Sequence, residues 1–155
     1  MTTNDLRVGE RMRHQGRVTY CSSRSICGGF AGAIRRLPGS AAVATSRPFV
    51  LVHGIGVSSR YFHPLAGQLA KSGEVFLIDL AGYGSAPDPK RDVSILLNTD
   101  VLCTFLQRTG VGNPVLAGHS IGSPLILATG YFARCGIPCF FVQLRLASLI
   151  VKDPS

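Results

Sequence analysis

Pro114-Val115-Leu116-Ala117-Gly118-His119-Ser120-Ile121-Gly122 carries an apolar run straight into a G-x-S-x-G pentapeptide, with a helix-forming stretch behind it. That order predicts a nucleophile elbow, a serine on a sharp strand-to-helix turn. Small residues are needed two before and two after the serine, because the backbone folds so tightly that a Cβ at Gly118 or Gly122 would collide with it. Ser120 Oγ would then stand clear of the sheet. In a chain with 18 glycines and 14 serines the pentapeptide alone is a weak signal. Its neighbours strengthen it.

Upstream, Arg47-Pro48-Phe49-Val50-Leu51-Val52 is a short, continuous apolar run that ends in His53-Gly54-Ile55-Gly56. A run of this kind suits a strand buried on both faces of a parallel sheet. A second run, Glu74-Val75-Phe76-Leu77-Ile78, ends in Asp79-Leu80-Ala81-Gly82-Tyr83-Gly84-Ser85-Ala86-Pro87. Three apolar strands therefore each terminate in a glycine-bearing loop. Between them, Ser58 to Lys71 places Tyr61, Leu65 and Leu69 on one helical face, and Pro64 implies an irregular first turn. From Asp92, an acidic residue suited to a helix start, Leu97, Val101 and Phe105 mark another face that ends at Gly110. Ser123-Pro124 opens a third helix, which Gly136 and Pro138 end, and a last strand is expected within 144–151. Strands alternating with helices build a mostly parallel sheet with helices on both faces, and sites then gather at the carboxyl ends of the strands.

An H-G-x-G loop, a D-x-x-G-x-G-x-S loop and a G-x-S-x-G elbow, in this order and each at a strand end, resemble the α/β-hydrolase superfamily, over residues 48–154. The resemblance implies an α/β-hydrolase fold that is incomplete, ending near the sixth strand at residues 147–155, with the lid and the base-bearing half absent. Residues 1–47 form a basic N-terminal segment, expected as a first hairpin plus a flexible leader, and residues 48–155 the partial core. The family's chemistry is ester-type acyl hydrolysis through an acyl-enzyme, with Ser120 as nucleophile and no cofactor or metal. Backbone N–H groups of Ile55 and Ile121 are the expected oxyanion donors. Gly54 and Gly56 let the first loop approach the substrate without side chains in the way. A serine at the elbow disfavours relatives that use aspartate there.

Other titratable residues carry less. His119 adjoins Ser120, but consecutive side chains at a strand end point to opposite sides, which directs its ring away from the hydroxyl. His53 is expected to order its loop by hydrogen bonding, and Asp79 resembles the family's structural loop aspartate, served by Tyr83 and Ser85. Asp153 occupies a place where some relatives keep their triad acid, although a turn residue before Pro154 is the simpler account. Five cysteines without a C-x-x-C pair argue against a disulfide framework or a zinc site.

The formal charge is +8, and no acidic residue lies between Arg11 and Gly73. An arginine-rich surface with Arg17 to Cys21 as a candidate strand is preferred to a transit peptide or a nucleic-acid arm, because no binding motif accompanies the charge. Residues 26–34 are too short and glycine-rich to span a bilayer. The expectations are a cytoplasmic protein, an ester-like small-molecule substrate, and no nucleic-acid or membrane partner. Two alternatives stand beside them. One is a non-catalytic fragment or split-gene half that associates with another chain, or with itself, along an edge from Leu144 to Val151. The other is a cofactor-free haloperoxidase or acyltransferase on the same scaffold.

Overall fold

A computed structural model describes residues 11–15, 18–27, 30–39, 47–89, 92–131 and 136–144. Three antiparallel strands, β1 (Arg11–Gln15), β2 (Val18–Cys27) and β3 (Phe30–Leu37), precede four parallel ones, β4 (Phe49–Val52), β5 (Val75–Asp79), β6 (Val115–His119) and β7 (Phe140–Leu144). They form one sheet in the order β1-β2-β3-β5-β4-β6-β7, with β3 antiparallel to β5. The helices α1 (His63–Leu69), α2 (Ile95–Thr109) and α3 (Gly122–Tyr131) fill the connections between the parallel strands.

The apolar runs lie where both sheet faces are covered. Val50 and Val52 pack with Phe76, Ile78 and Leu116 against Leu102, Phe105 and Leu106 of α2 and Leu125 and Ile126 of α3. Leu51, one residue out of phase, joins Leu77 and Ala117 under Phe62 and Ala66 on the opposite side. A parallel strand with helices on both faces has no room for a polar alternation, hence the continuous Phe-Val-Leu-Val run. From β4 the chain moves to β5 on one side and then returns past it to β6 on the other. A crevice opens at such a reversal, outside the carboxyl ends of the strands.

Three expectations are corrected in detail. The first helix is shorter than residues 58–71 and is preceded by a 3-10 turn over Ser59–Phe62, because Pro64 lies in its first turn and supplies no N–H. The second starts at Ile95, not Asp92: Ser94 is the N-cap, its Oγ accepting from Leu97 N at 3.2 Å, and Gly110 closes the helix at φ 66°. The strand beside the elbow strand begins at Phe140, four residues earlier than expected, in register with Val115. Phe140, Phe141 and Val142, two residues past Pro138, are strong strand formers, and the sequence reading passed over them. Of the expected edge only Leu144 belongs to the described residues; 145–151 and Asp153 lie outside them. The candidate strand at Arg17 to Cys21 overlaps β2.

Candidate active site

β6 ends at His119, α3 begins at Gly122, and Ser120 sits between them with φ 55°. A left-handed backbone at a residue with a Cβ costs on the order of 1–3 kcal/mol and persists only where the surroundings enforce it. Here glycines enforce it. A Cβ on Gly118 would lie 2.5 Å from the carbonyl carbon and oxygen of Gly122, and one on Gly122 would lie 2.3 Å from the carbonyl oxygen of Val52. The turn is pressed against the end of β4 on one side and against itself on the other. Ser123 secures it further, its Oγ donating to Gly118 O at 2.9 Å. Ser120 itself is exposed, and Ile121 precedes the first turn of α3, where amides lack an intrahelical acceptor.

The loop after β4 meets this turn. A Cβ on Gly54 would lie 2.7 Å from Ser120 Cβ, so Gly54 is required by the approach of the elbow serine. Gly56 has open space around it, and φ 77° accounts for its identity instead. The Ile55 side chain is 64% exposed, so its presence there is not explained by core packing.

His53 is fully buried and both of its ring nitrogens are engaged. Nε2 accepts from Leu80 N at 3.0 Å, which fixes the proton on Nδ1, and Nδ1 donates to Gly54 O at 2.7 Å. Burial lowers its pKa below 6.5, against smaller opposing effects from the Gly54 carbonyl and the Asp79 charge. The ring is therefore a neutral clasp between the loops after β4 and β5, with Tyr83 edge-on to it at 5.3 Å. With both nitrogens taken, it has no lone pair for the Ser120 proton. The His119 ring lies 5.7 Å from that of Tyr61.

Asp79, also fully buried, braces the loop after β5. Oδ1 accepts from Ser59 N at 2.7 Å, while Oδ2 accepts from Ser85 N at 3.0 Å and Ser85 Oγ at 2.8 Å. A Cβ on Gly84 would fall 2.4 Å from the Asp79 carboxyl carbon, so that glycine admits the carboxylate. Ser59 is the partner that sequence reasoning missed, since nothing in its local pattern marks it.

Beside the elbow a cavity of about 610 Å³ opens, with Ile55 and Ile121 in its wall together with Leu80, Tyr83 and Asn98. Asn98 is a second residue that sequence reasoning missed. Its signal is an amide at i−3 and i−4 to the buried apolar residues Val101 and Leu102. Among the described residues no group of three or more His, Cys, Asp or Glu side chains converges as a metal site would require, and no helix is long and apolar enough to cross a membrane.

The model of the α/β hydrolase fold family matches residues 47–133, which hold all three loops. The chain belongs to that family. Among curated relatives of this α/β-hydrolase chain is an (E)-2-((N-methylformamido)methylene)succinate hydrolase from Acinetobacter baylyi, 29% identical over 83 residues, which are 54% of this chain and 31% of that one. Among solved structures, an α/β hydrolase fold protein from Burkholderia ambifaria is 25% identical with a TM-score of 0.66, covering 89% of this chain and 47% of that one. An N-formylmaleamic acid deformylase from Pseudomonas putida S16 is also 25% identical, with a TM-score of 0.61, covering 70% and 40%. The chain thus spans under half the length of these relatives.

Proposed function

We propose that the chain contributes a serine nucleophile and its oxyanion hole to acyl hydrolysis of ester-type substrates. The observation that carries this reading is the left-handed Ser120, exposed at a turn whose close contacts require glycine at 54, 118 and 122. In this reading Ser120 Oγ attacks the carbonyl carbon, the oxygen that becomes negative is met by the N–H groups of Ile55 and Ile121, and the dipole of α3 favours the charge. The tetrahedral intermediate collapses with cleavage of the ester C–O bond, and the alcohol leaves with the proton given up by Ser120; water then attacks the acyl-serine, which releases the acid and restores the Ser120 hydroxyl. Losing one oxyanion donor costs on the order of 10² to 10³ in rate. Two of the relatives named above are, by their names, a hydrolase of an N-methylformamido compound and a deformylase, which supports acyl transfer to water and extends the proposed substrate class to activated amides.

The proton of Ser120 needs an acceptor, and the two engaged nitrogens of His53 exclude that residue. The base is proposed to come from polypeptide corresponding to the part of the relatives that this chain does not span, in cis or from a complementing chain. Labelling with a fluorophosphonate tests the nucleophile. The expected result is one adduct on Ser120, absent from Ser120→Ala and faster when a fragment carrying the remaining strands of a close relative is added. An adduct that persists in Ser120→Ala would overturn the assignment.

A further inference from the structure

We propose, resting on the reading of Ser120 as nucleophile, that His53 is a positioning residue for the oxyanion hole: it sets the tilt of the peptide between Gly54 and Ile55, whose N–H is the proposed first donor. The Gly54 carbonyl and the Ile55 amide are two ends of one planar group, and in a trans peptide they point in opposite directions. His53 Nδ1 donates to that carbonyl at 2.7 Å. An oxygen drawn toward a fully buried ring turns the hydrogen at the other end away from the ring. The same peptide starts at the glycine whose added Cβ would lie 2.7 Å from Ser120 Cβ, and it ends at a residue on the cavity wall.

The loop's own backbone leaves that tilt soft. Glycines flank the peptide at 54 and 56, and glycine restricts φ and ψ least. Gly54 cannot be exchanged for a stiffer residue, because the elbow fills the space a Cβ would need. A side-chain bond supplies the constraint that a Cβ cannot. The ring is held in turn from its far side, where Nε2 accepts from Leu80 N at 3.0 Å. Leu80 N–H, the imidazole and the 54–55 peptide form one hydrogen-bonded series in which each bond polarises the next. It ends at the Ile55 N–H.

The two ring bonds can be separated. His53→Asn puts an amide N–H where Nδ1 stood and leaves Leu80 without its acceptor, whereas His53→Gln puts an amide oxygen where Nε2 stood and leaves Gly54 O without its donor. The test follows labelling of the full chain and both variants by a fluorophosphonate, in which Ser120 Oγ bonds to phosphorus, fluoride leaves and the hydroxyl proton passes to the medium. His53→Gln should slow labelling at saturating probe on the order of 10²-fold, the cost of one oxyanion donor, with the half-saturating concentration unchanged. His53→Asn should keep most of the parent rate. A ring that only held the two loops together would make the variants alike or move the half-saturating concentration, and either result overturns the proposal. Carbon-13 and nitrogen-15 spectra add a readout that needs no labelling. The Gly54 carbonyl carbon and the Ile55 amide nitrogen should shift in His53→Gln and stay near their parent positions in His53→Asn; unmoved resonances in His53→Gln also overturn it. If His53→Gln does not fold, a 10²-fold loss in His53→Asn does the same. Absence of a Ser120 adduct from the unmodified chain removes the nucleophile instead, and the two resonances then decide the tether on their own.

Discussion

At the carboxyl ends of β4 and β6 the backbone comes so close that a methyl group on Gly122 would lie 2.3 Å from a carbonyl oxygen, whereas along β7 Phe140, Phe141 and Val142 stay 48%, 39% and 42% exposed. Both regions belong to the parallel part of one sheet, and β7 pairs with the elbow strand itself. The rim takes its shape from contacts within the chain, main chain against main chain, so substitutions there act on folding. The last strand presents apolar surface on both of its faces, and parallel strands are ordinarily covered on both. Substitutions there act on whatever meets that surface.

The largest effect expected from this contrast is at the rim. Gly122→Ala should cost on the order of 4 kcal/mol or leave the chain unfolded, because neither the Val52 nor the His53 carbonyl can retreat without breaking β4. Gly112→Ala, with open space around it, should stay within about 0.5 kcal/mol of the parent in the same urea titration. Equal losses at the two positions would break the comparison. Next comes Asp79→Asn, which puts an amide where two N–H groups and a hydroxyl converge. A loss of about 3 kcal/mol is expected by chemical denaturation, with the loop after β5 loosened first.

At β7 the expected change is in association, with folding stability unaffected. The unmodified chain should show concentration-dependent mass in sedimentation, and Val142→Lys should weaken self-association about tenfold, or ~1.4 kcal/mol. A concentration-independent monomer before and after the substitution would mean that the strand is covered. The smallest effect sharpens the rim side. Because burial depresses the pKa of His53 below 6.5, the unfolded chain binds the proton more readily than the folded one. The ring's contribution is complete above pH 6.5 and is lost as pH falls from 6.5 through the folded-state value. Stability from urea melts should therefore climb by at most about 1.4 kcal/mol per pH unit in that window, and His53→Gln should flatten this part of the profile.

Much of this was legible in the residues. Glycine at 118 and 122 around a serine, placed between an apolar run and a helix, encodes a steric arrangement that few other sequences satisfy, and the structure realises it atom by atom. Gly54 was legible as necessary while its reason was not, because the clash is with Ser120, a residue 66 positions later. Ser59 and Asn98 were opaque for the same cause: their meaning depends on what tertiary packing brings to them, a buried carboxylate in one case and a cavity in the other. At the last strand the expectation started four residues late, since a Gly and a Pro were read as the end of a helix and the aromatic pair after them was not weighed as a beginning.

The bond from Leu80 N–H to His53 Nε2 joins two loops through a side-chain ring, with no main-chain ladder between them. A proton on that nitrogen would set donor against donor and part the loops, so the Leu80 amide is a built-in witness to the ring's charge. Its exchange with deuterium should be slow while the ring is neutral. On acidification it should quicken even as the exchange chemistry of ordinary amides slows, an inversion of sign that marks the Leu80 amide.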